Sequence, residues 1–139
     1  MTEIRFHGRF GQPVGKLVRS IGQELRKRGK HVQIFDAFAA VRPGAPMHSV
    51  LRVGDGPILQ RSANNTGPDI VVVLDNSLFG VANVIRGLKL NGTVMALGVE
   101  AAVLGEKAGL YRFVPLEQYF DPQETLETNL VNALQERIS

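Results

Sequence analysis

The sequence predicts an α/β protein with a Rossmann-like arrangement, in which helices flank a mainly parallel sheet that also carries a β-hairpin. Segments with strand and helix character alternate along the chain, which is typical of parallel strands joined by crossover helices. The predicted strand at residues 69–75 contains an unbroken β-branched run at 70–73, as in a strand buried on both faces in the middle of a parallel sheet. The length of 139 residues, without a linker or low-complexity tract, predicts one domain over residues 1–139.

The first half of the chain is expected to form two strands around a strongly amphipathic helix. Residues 4–6 are predicted as the first strand and residues 31–35 as the second. Between them, apolar residues recur at helical spacing: Val14, Leu17, Val18, Ile21 and Leu25. Pro13 suits the first turn of this helix, where an N–H needs no partner, and Gly29 suits its end. Residues 36–46, rich in Ala, Gly and Pro, are expected to be a loop.

The second half is expected to begin with a hairpin. Residues 48–53 and 57–60 are predicted as its strands, because Gly54, Asp55 and Gly56 between them are turn residues. After the central strand at 69–75, Ser77 can cap a helix that reaches residue 88. Asn91 and Gly92 then turn the chain into a strand. The remaining predicted elements are a strand at 93–97, a short helix at 100–107, a strand at 111–114 and a final helix at 122–138.

Composition excludes several classes of site. The chain contains no cysteine, which removes disulfides, iron–sulfur ligation, cysteine nucleophiles and thiolate zinc sites. No apolar run approaches the ~18 residues of a membrane-spanning helix, and no apolar segment typical of a signal peptide is present. We therefore expect a cytoplasmic protein without a membrane span. With 6% aromatic residues and no stacking motif, nucleic-acid binding is not expected.

Charge is distributed unevenly along the chain. Residues 1–61 carry 11 Lys and Arg against 4 Asp and Glu, a net charge of +7. Residues 62–139 carry 5 against 9, a net charge of −4. This asymmetry predicts a polarised surface that faces an anion or an acidic partner. The simpler interpretation is that much of the basic excess is the solvated face of the first helix.

The loop between the first strand and the first helix is the main candidate for a ligand site. Its glycines let the backbone approach a phosphate, the helix start supplies free N–H groups, and Arg9 and Lys16 add positive charge. The segment from Gly8 to Lys16 matches neither the dinucleotide-binding pattern nor the P-loop, where Leu17 would have to be Ser or Thr. A tight turn without a ligand is the alternative.

Other polar residues give weaker signals. Asp36 follows the second strand, where dinucleotide-binding enzymes keep a ribose-binding acid, but without the glycine pattern an acid that merely ends a strand is favoured. Three histidines show no metal-ligand spacing and are interpreted as surface or packing residues: His7, His31 and His48. The segment 75–77 could line the same cleft as the loop or simply cap a helix. No nucleophile–base pair is recognisable, so no catalytic residue and no metal ligand is predicted.

Four landmarks in order carry a resemblance to a known family. Residues 4–12, Ile-Arg-Phe-His-Gly-Arg-Phe-Gly-Gln, resemble the opening of the gamma subunit or domain of 2-oxoacid (pyruvate):ferredoxin oxidoreductases, which reads His-Gly-Arg-Gly-Gly-Gln-Gly after a strand. The loop containing Arg-Pro-Gly-Ala-Pro at 42–46 resembles the family's Arg-Gly-Ala-Pro stretch. The segments 48–53 and 68–75 resemble its next two strands. The resemblance covers about residues 3–100.

The resemblance implies an accessory subunit of a multi-subunit, thiamine-diphosphate-dependent enzyme that decarboxylates a 2-oxoacid oxidatively. Alpha, beta and iron–sulfur subunits would hold the thiamine diphosphate and the clusters and pass electrons to ferredoxin or another acceptor. This chain would be non-catalytic and would face coenzyme A, with no other cofactor held by it alone. The coenzyme-binding residues that the resemblance implies are Gly8, Arg9, Gly11, Gln12, Arg42 and Gly44.

Two residues of the glycine loop depart from the family. Phe10 and Pro13 stand where the family has glycines, which adds a large side chain and removes one N–H donor. We therefore expect weaker coenzyme A contact through this loop than in the usual form of the family. A free-standing Rossmann-like module that binds a nucleotide or coenzyme is the alternative function.

Overall fold

A single six-stranded sheet organises the fold. The computed structural model of the protein describes residues 1–9, 14–38, 46–58, 67–80, 84–96, 98–99, 103–105, 109–116 and 121–135. The strands, in chain order, are β1 (Thr2–Arg9), β2 (His31–Phe38), β3 (Pro46–Gly54), β4 (Ile70–Val73), β5 (Thr93–Ala96) and β6 (Arg112–Pro115). Their order across the sheet is β2-β3-β1-β4-β5-β6. The predicted α/β class with a flanked, mainly parallel sheet is confirmed.

Strand β1 is the axis of the sheet, because it pairs on both sides. It runs antiparallel to β3 over its whole length, from Thr2 opposite Val53 to Arg9 opposite Pro46. On its other side Ile4 to His7 pair in parallel with β4. The strand is therefore eight residues long rather than the predicted three, and the predicted loop residues Gly8 and Arg9 belong to it.

The hairpin lies elsewhere than predicted. Both edges of β3 are occupied, by β1 on one side and by β2 in an antiparallel pair on the other. No edge of β3 is left for a strand at residues 57–60, and Pro57 and Ile58 are not in a strand. Residues 59 and 60 lie outside the described part of the chain. The antiparallel hairpin is formed instead by β2 and β3. Strand β2 ends later than predicted and β3 starts earlier, because residues 36–38 and 46–47 extend the ladder.

Two apolar layers cover the two faces of the sheet. Helix α1 (Val14–Lys27) packs its predicted stripe on one face, against alternate residues of β1 such as Ile4 and Phe6. Helix α2 (Leu126–Gln135) joins the same layer through Leu130, Val131, Ala133 and Leu134. On the other face, Val71 and Val73 of β4 pack with Leu78, Val84, Leu88 and Leu104. All four residues of β4 are buried, as predicted for the central strand.

The prediction of a helix from 77 to 88 is wrong over the residues that the structure describes, because they form a short 3-10 helix and turns. A 3-10 helix spans Asn76–Gly80, and residues 84–87 form turns. The expected stripe is nevertheless buried, since Val84 and Leu88 pack on β4. Most of the predicted short helix at 100–107 lies outside the described residues, of which 103–105 form a 3-10 turn. The final helix begins at Leu126 rather than at residue 122, and residues 136–139 lie outside the described part.

A buried ion pair joins β1 to β3. Arg52 lies directly opposite Glu3 in the antiparallel register, and its Nε donates to Glu3 Oε1 at 2.9 Å. The two side chains are 0% and 4% exposed. Arg52 also donates from Nη1 to Gln33 Oε1 at 3.2 Å on β2, and its guanidinium carbon stands 5.0 Å from the centre of the Phe35 ring. The guanidinium therefore ties three neighbouring strands together on the face opposite α1.

Arg52→Leu is expected to lower the free energy of unfolding by about 3–5 kcal/mol, because it leaves the Glu3 carboxylate buried without its cation. Urea denaturation followed by circular dichroism measures this. The matched control is Arg112→Leu, in which the exposed arginine of β6 is replaced and the change should be within about 0.5 kcal/mol. A loss below about 1 kcal/mol for Arg52→Leu would contradict the structural role of the pair.

Candidate functional site

The connections of the fold make the carboxyl ends of β1 and β4 a topological switch point, which is called the crevice below. These two strands are parallel neighbours, but the chain leaves them toward opposite faces of the sheet. After β1 it enters α1, which packs with Ile4 and Phe6, whereas after β4 it enters the 3-10 helix, whose Leu78 packs with Val71 and Val73. Open α/β sheets bind ligands at such a switch point, outside the carboxyl ends of the strands. The crevice is therefore the candidate functional site.

Arg9 and the residues that follow β4 meet at this crevice. The Arg9 guanidinium donates from Nε and Nη2 to Ser77 Oγ, at 3.2 and 2.8 Å. Its Nε also lies 3.4 Å from Asp75 Oδ2. The Arg9 and Asp75 side chains are 24% and 21% exposed, so solvent and ligands can reach both groups. A cation is thus held at the mouth of the crevice.

Asp75 contacts both the Arg9 guanidinium and the start of the 3-10 helix. Its Oδ1 accepts hydrogen bonds from the Ser77 amide, at 3.0 Å, and from Ser77 Oγ, at 2.6 Å. The capping interpretation of segment 75–77 is therefore confirmed, and the lining of a cleft stays a prediction. The capping side chain is Asp75 rather than Ser77, because the carboxylate accepts the orphan N–H at the helix start.

The next strand reaches the same edge of the sheet. Gly98 follows β5 with a φ of +74°, and a Cβ built on it would lie 2.7 Å from Asn76 Nδ2. A side chain at this position would be strained by its backbone conformation and would collide with Asn76. The backbone after β5 therefore packs closely against the segment that carries Asp75 and Ser77.

Arg5 and His7 stand on the same face of β1 as Arg9, deeper in the molecule. Arg5 Nε donates to His7 Nε2 at 2.7 Å, and Arg5 Nη2 donates to the Val84 and Arg86 carbonyl oxygens at 3.0 and 2.6 Å. The guanidinium thereby holds the turn at 84–87 against β1. Arg5 is not among the residues predicted for the site, although the alternation of polar residues at positions 5, 7 and 9 places it on the face of Arg9.

Two histidines pair across β1 and β3. The His7 and His48 rings lie 5.4 Å apart between centroids and are tilted by 44°. Burial, followed by the charges of Arg5 and His48, lowers the pKa of His7 to about 3. Burial and Arg5 also lower the pKa of His48. The neutral His7 ring is what the Arg5 hydrogen bond requires, because Nε2 can accept only when it carries no proton.

The predicted coenzyme-binding residues divide into two groups. Arg9 lies at the crevice, and Gly8 precedes it in β1, opposite Met47 of β3. The other four lie outside the described residues: Gly11, Gln12, Arg42 and Gly44. Phe10 and Pro13 lie outside them as well. Lys16, the second predicted cation of the loop, is an exposed residue of α1.

The remaining candidates stand apart from the crevice. Asp36 belongs to β2, which β3 separates from β1, so its position differs from the ribose-binding acid of a dinucleotide fold, where the second strand neighbours the first. His31 begins β2 and is exposed. Within the described residues there is no group of three or more His, Asp and Glu that could hold a metal ion. None of the helices in this part of the chain is long and apolar enough to cross a membrane.

The sheet and its switch-point crevice define an α/β domain of the class that binds ligands at the carboxyl ends of parallel strands. Residues 3–132 match the family model of pyruvate ferredoxin/flavodoxin oxidoreductase. The chain belongs to this family, and the resemblance predicted from the four landmarks is confirmed.

Curated relatives carry the gamma-subunit name. The chain is 42% identical over 95 residues to the pyruvate/ketoisovalerate oxidoreductases common subunit gamma of Thermococcus kodakarensis, a match over 68% of this chain and 51% of that protein. It is 41% identical over 95 residues to pyruvate synthase subunit PorC of Methanothermobacter marburgensis, over 68% and 53% of the two chains. The matched part thus spans about half the length of these relatives.

Solved structures agree with the fold. The crystal structure of pyruvate oxidoreductase subunit PORC from Thermotoga maritima superposes with a TM-score of 0.62 and 30% identity, over 81% of this chain and 61% of that one. A keto/oxoacid ferredoxin oxidoreductase gamma subunit from Geobacter sulfurreducens gives 0.53 and 17%, over 92% and 69%. The second likeness supports the fold alone.

The free energy of unfolding is expected to decrease as the pH falls below 6.5, the ordinary pKa of histidine, and to keep decreasing toward 3, the pKa of folded His7. In this window the unfolded chain binds the proton and folded His7 does not, so His7 contributes a loss of up to about 1.4 kcal/mol per pH unit. Urea denaturation at about pH 7.0, about 6.0, about 5.5 and about 5.0 measures how the free energy of unfolding changes with pH. These values lie above the pH range in which most carboxylates titrate.

His7→Gln should flatten this slope, because the glutamine does not titrate. His31→Gln, at an exposed position on β2, is the matched control and should keep the wild-type slope. Equal slopes for wild type and His7→Gln would show that His7 is not held neutral by its surroundings.

Proposed function

We propose that this chain is the gamma-type accessory subunit of a multi-subunit, thiamine-diphosphate-dependent 2-oxoacid oxidoreductase. The observation that carries the proposal is the family match over residues 3–132, together with relatives named as gamma subunits of pyruvate and ketoisovalerate oxidoreductases. The reaction of the complex would be oxidative decarboxylation of a 2-oxoacid, with electrons passed to ferredoxin or another acceptor. Residues 1–139 would form one gamma-type domain of this complex, which would work in the cytoplasm.

The residue composition of the chain supports the assignment of the cofactor sites to other subunits. The chain has no cysteine, so iron–sulfur clusters would be held by a partner. The described residues contain no acidic cluster for the metal ion that accompanies a diphosphate. Thiamine diphosphate would therefore be bound by alpha and beta subunits, and the clusters by an iron–sulfur subunit. This chain would shape the complex and would not carry out the chemistry.

Coenzyme A is the ligand proposed for the crevice between β1 and β4. Its phosphates require cationic donors, and Arg9 holds a guanidinium at the mouth of the crevice. The Arg9 side chain is partly exposed and is oriented by Ser77 and Asp75, so a phosphate could bind without a large rearrangement. Gly8 has no side chain, so the end of β1 would leave space for the ligand beside Arg9. Gly11, Gln12, Arg42 and Gly44 remain predicted contacts from the family resemblance.

Assembly with partner subunits tests the proposed function. A tagged form of the chain, expressed in its native host, is expected to co-purify with chains that together reduce methyl viologen in the presence of a 2-oxoacid and coenzyme A. The chain purified alone should show no such activity, because the proposal assigns the thiamine diphosphate and cluster sites to partner subunits. Pyruvate and 2-ketoisovalerate are the first substrates to test, since relatives are named for them.

A stable isolated chain that binds coenzyme A or a nucleotide, with no associated oxidoreductase, would contradict the accessory-subunit proposal. It would favour the free-standing binding module. The switch-point crevice is the observation that keeps this alternative open, because its Arg9, Asp75 and Ser77 all come from this chain.

Arg9→Ala is expected to weaken binding of coenzyme A to the assembled complex by about 1.5–3 kcal/mol, or roughly 10- to 150-fold, the scale of a charge-assisted hydrogen bond. Isothermal titration calorimetry on the complex measures the affinity. The matched control is Arg28→Ala on α1, whose arginine pairs with Glu24 and Gln135 away from the crevice. If Arg9→Ala instead lowers the yield of complex while coenzyme affinity is retained, Arg9 belongs to a subunit interface.

A further inference from the structure

One face of α1 carries four cations and one glutamine, and no acidic residue. Buried residues occupy the other side of the helix, and at 100° per residue the exposed ones on this face fall within an arc of about 100°. These residues, called the cationic stripe below, are Lys16, Arg19, Gln23, Arg26 and Lys27. All five are exposed. From Lys16 to Lys27 the stripe is about 16 Å long, at 1.5 Å per residue.

No carboxylate lies within the stripe. Glu24 is the only acidic residue of α1, and it lies outside the arc, where it pairs with Arg28 at 3.4 Å. The first turn of the helix contains no acid, and its last turn contains Arg26 and Lys27. Cations in the last turn are favourable for the helix dipole, but Lys16 near the helix start is not. Helix stability therefore does not explain why the row extends to both ends.

An open pocket continues the stripe beyond the end of α1. Its volume is about 360 Å³. Arg26 lines it from the stripe, and Lys30, His31 and Gln33 add further polar side chains. Arg26 donates from Nη2 to the Val32 carbonyl oxygen at 3.2 Å, which fixes the guanidinium at the border between stripe and pocket. Lys30 pairs with Asp55, the one carboxylate at this end of the stripe among the described residues, and that hydrogen bond lowers the pKa of Asp55.

We propose that the cationic stripe and this pocket form a docking surface for an acidic segment of another protein subunit, a role that rests on the proposed place of the chain in a multi-subunit complex. The segment would run along α1 with carboxylates opposite Lys16, Arg19, Arg26 and Lys27. Charge complementarity carries the choice of occupant, because complementary charges speed association and disfavour wrong partners. The pocket would receive the end of the segment.

Other occupants fit the surface less well. Proteins that bind single-stranded nucleic acid combine cations with aromatic side chains. Neither the cationic stripe nor the described lining of the pocket contains an aromatic ring other than His31. A second copy of this chain would have to present its acidic half, which carries a net charge of only −4 spread over 78 residues. Both occupants are distinguishable outcomes of the test.

The test compares two double charge reversals in the complex purified from the native host through a tag on this chain. Lys16→Glu/Lys27→Glu reverses two exposed cations of the stripe, neither of whose side chains has a hydrogen bond or an ion pair with another residue in the described part of the chain. Arg86→Glu/Arg112→Glu reverses two exposed cations elsewhere on the surface and is the matched control. In the wild-type complex, carbodiimide cross-linking joins lysine amines to carboxylates with which they form ion pairs, and mass spectrometry locates them.

The expected results are cross-links from Lys16, Lys27 or Lys30 to Asp or Glu of a different chain, and at least about a tenfold loss of affinity for that chain in the stripe variant, with little change in the control. Equal assembly and equal 2-oxoacid oxidation in both variants would overturn the docking surface and leave the proposed function intact. Cross-links to a second copy, or loss of the bound species on nuclease treatment, would also overturn it. Cross-links from the cationic stripe to an acidic chain, in a complex that does not oxidise 2-oxoacids, would support the docking surface and contradict the proposed function.

Discussion

The double pairing of β1 is the constraint on which the rest of the structure depends. Because β3 binds one edge of β1 in antiparallel register and β4 binds the other in parallel, the register of β1 cannot shift without breaking two ladders. Glu3 and Arg52 reinforce the antiparallel register, since a shift of one residue would separate two buried charges. A fixed register in turn decides which side chains of β1 enter the α1 layer and which reach the opposite face.

The crevice follows from this register. Arg9 is the last residue of β1 and stands on the same face as Arg5 and His7, so its guanidinium meets the segment that leaves β4 rather than α1. Asp75 and Ser77 come to the same place because β4 is the parallel neighbour of β1. The functional side chains are thus positioned by strand pairing, and their alignment depends on interactions that are buried several residues away. The Arg5 contact to the turn at 84–87 fixes the return of the chain after the 3-10 helix.

The sequence allowed prediction of the features that depend on local patterns. The apolar stripe of α1 and the buried run of β4 follow strong local patterns and were predicted correctly. The family was predicted correctly from four motifs in order. Pairing partners are set by residues far apart in the chain, so the length of β1 and the insertion of β3 between β1 and β2 were not predictable from local patterns. The same limit explains the misplaced hairpin. Asp75 and Ser77 were noticed, but only the adjacency of β1 and β4 shows that they hold Arg9.

The two charged features of the chain are separated by the geometry of a strand followed by a helix. Arg9 ends β1 at the crevice, and α1 begins five residues later and runs back along the sheet, so the pocket at Arg26 and Lys30 lies at the opposite end of the strands. With about 1.5 Å per residue, the fourteen residues of α1 place these regions about 20 Å apart. Sites farther apart than about 10 Å without shared partners usually act additively. The pocket at the end of α1 is therefore separated from Arg9 by the length of the helix, whereas Lys16 of the cationic stripe lies near the start of α1, at the same end of the strands as Arg9.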